Sequence, residues 1–424
     1  MAFRFVHTAD IHLDSPLRTM ALREPELADL IGGATRRAFA AMVDLCLSEQ
    51  VDAFLICGDL YDGEQTSMKT ARFLADQLRR LHGSGIRVFI IRGNHDAESR
   101  ITRELTLPES VKAFSGRAEA VVVSCGALDI AVHGVSFAQK HAPESLLPKF
   151  RPPHAGAVNL GMMHTSLGGS LSHDRYAPCT TAELHGHGFD YWALGHIHQR
   201  FEERGRAMIV MPGNPQGRDI NEAGPKSATL ATIGDDRVIT LEERVTSLAE
   251  FQRVRVDLAG VEDWRGALKR IEAALGGARV SAKSEHLVAR VRLAGSTPFA
   301  WRLRFDADRL AEEARAAGAA IGKTWIDKIE IACAESGAAA ASPSSDPVAE
   351  LRVLMEQEVA QSKAFQDALR EMAKELSGTL PQELREGQFG RDAEEFSAIL
   401  RDVASEGAED VLAYLRAAQR DHVS

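Results

Sequence analysis

The chain has 424 residues, 45% of them hydrophobic, and a formal net charge of −10. That length allows two or three domains with a sizeable core, and the acidic balance argues against sequence-blind adhesion to nucleic acid. Five cysteines form no CxxC pair, no run of 18 apolar residues occurs and no signal-peptide pattern opens the chain. These features exclude a disulfide scaffold, a zinc ribbon and a membrane span, and the expected compartment is a reducing cytoplasm.

Residues 3–9 alternate like a strand and run into Asp10-Ile11-His12. Phe39, Met42, Val43 and Cys46, at helical spacing, predict a helix over 35–49. Residues 53–57 form an apolar strand ending in Gly58-Asp59-Leu60-Tyr61-Asp62. A helix over 68–82 follows, then strand 88–91, which leads into Gly93-Asn94-His95-Asp96. This β–α–β–α–β order predicts an α/β domain whose sheet is largely parallel at first.

The next part is richer in strands. Residues 121–123, 130–132 and 158–163 read as strands, the last leading into His164. Strand 191–194 leads into Gly195-His196-Ile197-His198, and 208–211 into the turn Pro212-Gly213-Asn214-Pro215. Runs at 229–233 and 238–241 close the unit as a hairpin, so the first domain spans 1–245. A small α+β domain follows at 250–335, with helices over 264–275 and 306–317 and a last strand at 324–332. Residues 336–347, rich in Ala, Ser and Pro, read as a linker; Asp346-Pro347 supplies an N-cap and a first-turn proline. Apolar stripes then predict a helical tail over 348–424.

Five strand ends thus carry Asp10 with His12, Asp59, Asn94 with His95, His164, and His196 with His198. The carboxyl ends of strands in an α/β sheet share one edge, where ligands bind. Buried amide, imidazole and carboxylate groups are costly unless partnered. Mixed oxygen and imidazole donors suit a divalent ion such as Mn, Fe or Zn. Seven donors exceed what one ion needs, so two ions sharing a carboxylate is the economical arrangement, and such pairs serve phosphoester cleavage.

In this order, Asp-x-His, Gly-Asp-x-x-Asp, Gly-Asn-His-Asp, a lone His after a strand and Gly-His-x-His resemble the calcineurin-like metallophosphoesterases. His7-Thr8-Ala9-Asp10-Ile11-His12-Leu13-Asp14-Ser15-Pro16-Leu17 and Tyr191-Trp192-Ala193-Leu194-Gly195-His196-Ile197-His198 are similar to the SbcD-type DNA repair nucleases, the YhaO branch in particular. The resemblance implies a two-sheet sandwich flanked by helices, with a small α+β capping domain and an α-helical tail. It also implies a cytoplasmic enzyme, a Mn-dependent exonuclease or endonuclease of DNA. Asp10, His12 and His198 would hold one metal; Asn94, His164 and His196 the other; Asp59 would bridge. His95 would act as the proton donor, with Asp96 orienting its ring, while Asp62 varies among relatives. The implied partners are DNA, an SbcC-like or YhaN-like coiled-coil ATPase docked by the tail, and a second copy in a homodimer.

Other features are weaker. His185-Gly186-His187 imitates a metal pair, but its Gly-rich setting predicts a surface loop. His7, inside a strand, reads as a core or supporting histidine. Arg218, in a loop just past a strand, is a candidate phosphate contact. Residues 251–335 carry a net +3, and their arginines are either a solvated face or a guide for a phosphate backbone. Two competing functions stand beside the nuclease: a phosphodiesterase or phosphatase of small or protein substrates, and an adaptor subunit for an ATPase.

Overall fold

The computed structural model of the protein describes residues 2–15, 25–61, 67–97, 107–139, 142–168, 176–335, 346–379, 389 and 393–421. Asp62 and most of the expected linker, 336–345, lie outside these residues. The chain divides into two compact units, Met1–Gln252 with Ala282–Val288, and Arg253–Ser281 with Ala289–Ser424.

The first unit opens with β1 (Phe3–Thr8), α1 (Pro25–Gly32), α2 (Ala34–Ser48), β2 (Ala53–Cys57), α3 (Met68–Gly83), β3 (Arg87–Ile91) and β4 (Val111–Ala113). It continues with β5 (Glu119–Cys125), β6 (Leu128–Gly134), β7 (Val158–His164), α4 (Thr181–His187), β8 (Tyr191–Gly195), β9 (Phe201–Arg204) and β10 (Met208–Met211). A hairpin of β11 (Ser227–Ile233) and β12 (Ile239–Val245) completes it. These strands build two six-stranded sheets, ordered β12-β11-β1-β2-β3-β4 and β5-β6-β7-β8-β10-β9. Strands β1 to β4 run parallel and β11 antiparallel to β1. In the second sheet β6, β7, β8 and β10 are parallel, flanked by antiparallel β5 and β9.

Strand alternation explains the layers. Phe3 and Phe5 of β1 enter the core between the sheets, with Leu55, Phe89, Leu160, Met162 and Tyr191. Val6 points the other way, onto Phe39, Met42, Leu74 and Leu78 of α2 and α3. The outer face of the second sheet is covered by Phe150, Leu184, Phe189 and Trp192. Each such side chain, fully buried, stabilises the fold by about 1.5–3 kcal/mol. The result is the helix-flanked two-sheet sandwich that the sequence implied.

Three details differ from expectation. Residues 181–187 are not a loop but α4, begun by a capping box in which Thr180 and Glu183 satisfy each other's backbone. Its histidines are structural: His185 Nε2 lies 2.8 Å from Glu203 Oε1, and His187 packs edge-on against Phe189 and Trp192. Strands β4 and β9 are short, β4 half-buried and β9 largely exposed, so no apolar pattern announces them. The helix expected at 306–317 is present as α7 (Ala307–Ile321), but a further helix, α6 (Ala300–Phe305), precedes it; both are numbered after α5 (Trp264–Ser281).

The second unit contains α5 to α7 and most of a three-stranded sheet of β13 (Ala249–Asp257), β14 (His286–Thr297) and β15 (Thr324–Glu335). Val256, Ile271, Leu275, Val291, Leu310 and Ala314 are buried. Three further helices are α8 (Pro347–Leu354), α9 (Lys363–Thr379) and α10 (Ala393–Asp421). Asp346 caps α8 by accepting the Val348 N–H at 3.1 Å. Helix α10 buries Leu412, Ala413 and Ala417. Its Tyr414 ring meets Phe305 of α6 at 5.2 Å, Asp410 pairs with Arg304 at 3.3 Å, and Arg416 pairs with Asp346 and Glu335. Met372, Leu376, Val403 and Tyr414 nevertheless remain exposed. Among the described residues, no helix is long and apolar enough to cross a membrane.

Candidate metal centre

The loops after β1 and β2 are zipped together. The N–H groups of Asp10, His12 and Leu13 donate to the carbonyls of Gly58, Asp59 and Leu60, each at 3.0 Å. This pairing holds Asp10, His12, Asp14 and Asp59 at φ of 53°, 46°, 58° and 51°, the left-handed region that non-glycine residues avoid. The motif glycines answer a different need. A Cβ on Gly93 would lie 2.1 Å from Asp59 Oδ1, and one on Gly58 2.4 Å from His164 Nδ1. Only glycine lets the loops approach each other this closely.

The predicted residues come together in two groups. Asp10, His12 and His198 form one and Asp59, His164 and His196 the other, with the donor atoms of each group within 4.8 Å of one another. His12 Nε2 and His198 Nε2 face each other at 3.2 Å. His164 Nε2 lies 3.1 Å from Asn94 Oδ1 and 3.4 Å from Asp59 Oδ2, so Asn94 joins the second group. Both Asp10 oxygens accept the His196 N–H, at 3.1 and 2.9 Å. His95 donates its N–H to Asp59 Oδ1 at 3.0 Å, and its ring stands edge-on to that of His12, centroids 5.2 Å apart.

Hydrogen bonding tests whether a cation fits. His164 Nδ1 donates to the Cys57 carbonyl at 2.9 Å, because a carbonyl can only accept. In the neutral ring Nε2 is therefore bare, and it faces two further acceptors, Asn94 Oδ1 and Asp59 Oδ2. Three buried acceptors need a positive charge among them. Burial pushes His164 down, but Asp59 outweighs it and lifts the imidazole to about 9. Burial likewise pushes Asp59 up, yet the surrounding His164, His12 and His95 hold it well below the carboxylate range. His198 repeats the pattern: Nδ1 lies 2.6 Å from Glu222 Oε1, leaving Nε2 turned toward His12. Borderline donors converging around acidic groups fit a pair of divalent metals.

Two residues make contacts that the sequence does not show. Asp96 accepts backbone amides on both its oxygens, from Leu60 at 3.1 Å, Tyr61 at 3.0 Å and Gly93 at 3.2 Å. It staples the β2 and β3 loops. Burial and the neighbouring Asp59 raise its carboxyl to about 6, against the pull of those three amides. Arg218 does reach the centre, but its guanidinium is paired with Glu222 at 3.0 Å. His7 is buried between the Tyr191 hydroxyl at 3.0 Å and the Leu194 carbonyl at 3.1 Å, as a supporting residue.

Glu222 was not anticipated. It sits in a single turn, Ile220–Glu222, capped by Asp219. Burial pushes its carboxyl up, but the hydrogen bond from His198 and the charge of Arg218 hold it far below the usual range. A lone glutamate in a loop carries no sequence signal; only the fold brings it under His198. Asp14 is similar: Arg36 grips both its oxygens at 2.6 Å, and Thr70 donates to it.

A two-sheet α/β sandwich with paired carboxylate and imidazole groups at its strand ends defines a metallophosphoesterase. The calcineurin-like phosphoesterase profile matches residues 3–200, and that of the metallophosphoesterase YhaO middle domain matches 251–334. The chain is 31% identical over 298 residues to the uncharacterized metallophosphoesterase YhaO of Bacillus subtilis, covering 69% of this chain and 72% of that one. It belongs to the calcineurin-like metallophosphoesterase family and is a metal-dependent phosphoester hydrolase. It is also 28% identical over 209 residues to the DNA double-strand break repair protein Mre11 of Methanocaldococcus jannaschii, covering 47% of this chain and 52% of that one. The SbcD component of the SbcCD nuclease of Rhodobacter capsulatus is 36% identical over 111 residues, 26% of this chain and 24% of that one. The chain thus spans about half of the first of these two nuclease-type relatives and a quarter of the second.

Proposed function

We propose that this chain is a Mn-dependent DNA nuclease subunit. The observation that carries the reading is the convergence of the complete donor set with His95 beside it. The family resemblance and the names of the Mre11 and SbcD relatives support DNA as the substrate. Asp10, His12 and His198 would hold one ion, Asn94, His164 and His196 the other, and Asp59 would be shared. When bound, two such ions neutralise a phosphodiester and make water a better nucleophile at neutral pH. His95, with its backbone anchored on Asp59, presents its ring beside His12 and donates a proton to the leaving oxygen. Asp96 keeps the two loops in register. The exposed apolar residues of α9 and α10 support docking of a coiled-coil ATPase by helix packing.

The test is cleavage of end-labelled duplex and single-stranded DNA beside bis-p-nitrophenyl phosphate, with and without Mn. Wild type should cut DNA only with Mn, and Asp59→Asn and His95→Ala should lose it. Turnover of the small diester with intact DNA, even after addition of the ATPase, would instead establish the phosphodiesterase reading. That competitor draws on the net charge of −10.

A further inference from the structure

Glu222 gathers five donor atoms on one carboxylate, the most distant being Arg218 Nε at 3.5 Å from Oε2. Oε1 lies 2.6 Å from His198 Nδ1 and accepts from Arg218 NH2 at 3.0 Å. Oε2 accepts the Arg218 backbone N–H at 2.7 Å and Asn214 Nδ2 at 2.9 Å. The same Arg218 NH2 stands 3.4 Å from His198 Nδ1. An Arg guanidinium carries only donors and an ionised carboxylate only acceptors, so the 2.6 Å contact requires the proton on Nδ1. The lone pair of His198 is thereby confined to Nε2, which faces His12 Nε2 at 3.2 Å and Asp10 Oδ1 at 4.0 Å.

We propose that Glu222 is the positioning residue of the Asp10–His12–His198 group: it fixes the His198 tautomer and ring for a divalent cation and couples that ligand to Arg218. The proposal rests on reading Asp10, His12 and His198 as ligands of one ion. Carboxylates behind ligating histidines are worth about 10–100-fold in metal affinity. The amide of Glu222→Gln has one acceptor atom where five donor atoms converge, and its NH2 group would face donors. Arg218→Ala leaves the Glu222–His198 bond in place and separates the two tasks.

The experiment titrates the full chain with Mn(II) alone, followed by calorimetry and by electron paramagnetic resonance of the ion, with circular dichroism as the check on folding. Wild type should bind two ions. Glu222→Gln should bind one of them about 10–100-fold more weakly and leave the other unchanged. Arg218→Ala should keep both affinities and raise KM rather than lower kcat. Should Glu222→Gln fail to fold, Glu222→Asp, which keeps the charge but withdraws it by one methylene, should show the same single-site loss. Asp10→Asn is the control for the underlying reading: if it too leaves both Mn affinities intact, the ligand assignment fails. If Asp10→Asn loses one ion while a folded Glu222 variant binds both as wild type does, only the role of Glu222 is overturned.

Discussion

At the scale of single residues, His164 titrates where it can be measured. Its metal-free pKa of about 9 lies above the ordinary 6.5. The charged ring therefore adds stability that is complete below about pH 6.5 and is lost as pH rises through about 9, worth up to about 3 kcal/mol. Thermal melts in chelator should fall across that window, and His164→Asn should flatten the profile. Mn(II) must displace the same proton, so its affinity should rise with pH over the same range; a flat dependence would contradict the pairing with Asp59. On the proposed role of its ring as proton donor and not ligand, His95→Ala should lower kcat by about 10²–10⁴ while leaving Mn stoichiometry at two. The donor residues themselves were legible in the sequence, since polar groups after apolar strands are conspicuous. The partners of Asp96 and Glu222 were not: a hydrogen bond to a backbone amide or to a residue 24 positions away is set by loop approach, which periodicity does not encode.

At the scale of elements, the strand-end loops owe their geometry to glycine. Gly93→Ala would drive a Cβ to 2.1 Å from Asp59 Oδ1, so Mn binding should be lost while the circular dichroism of the sheets persists. Retained Mn affinity in that variant would mean the loop can yield. Helix α4 is hidden in the sequence because Gly186 and two histidines resemble turn material, although Thr180 and Glu183 spell a capping box. Removing the cap with Thr180→Ala should cost about 1 kcal/mol, read as a lowered Tm. The sandwich strands were legible because β-branched and aromatic runs alternate with helical spacing. The start of α7 at Asp306 was legible, but α6 was not, because six residues with only Ala300 and Leu303 buried are too short to show a helical period.

At the scale of the whole molecule, the two units should respond differently to metal. Ligand at 100 times its Kd stabilises the folded state that binds it by about 2.7 kcal/mol. All seven proposed donors lie in the first unit, so chelation should lower the melting transition of that unit and leave the transition of the second in place. A single transition shifted as one would show that the units unfold together. The left-handed backbone at Asp10, His12, Asp14 and Asp59 has a further consequence for how such a protein evolves. These positions are conformationally costly, and His12 is held 3.2 Å from His198 until a cation arrives, so selection for stability and selection for chemistry pull in opposite directions there. His12→Asn, which tolerates that backbone and relieves the contact with His198, should lose the ion of the Asp10–His12–His198 group and keep the other, yet raise the Tm of the metal-free chain. Lineages that no longer need the reaction should drift quickly toward such replacements, and an inactive descendant should be recognisable by a sturdier, emptier version of the same fold.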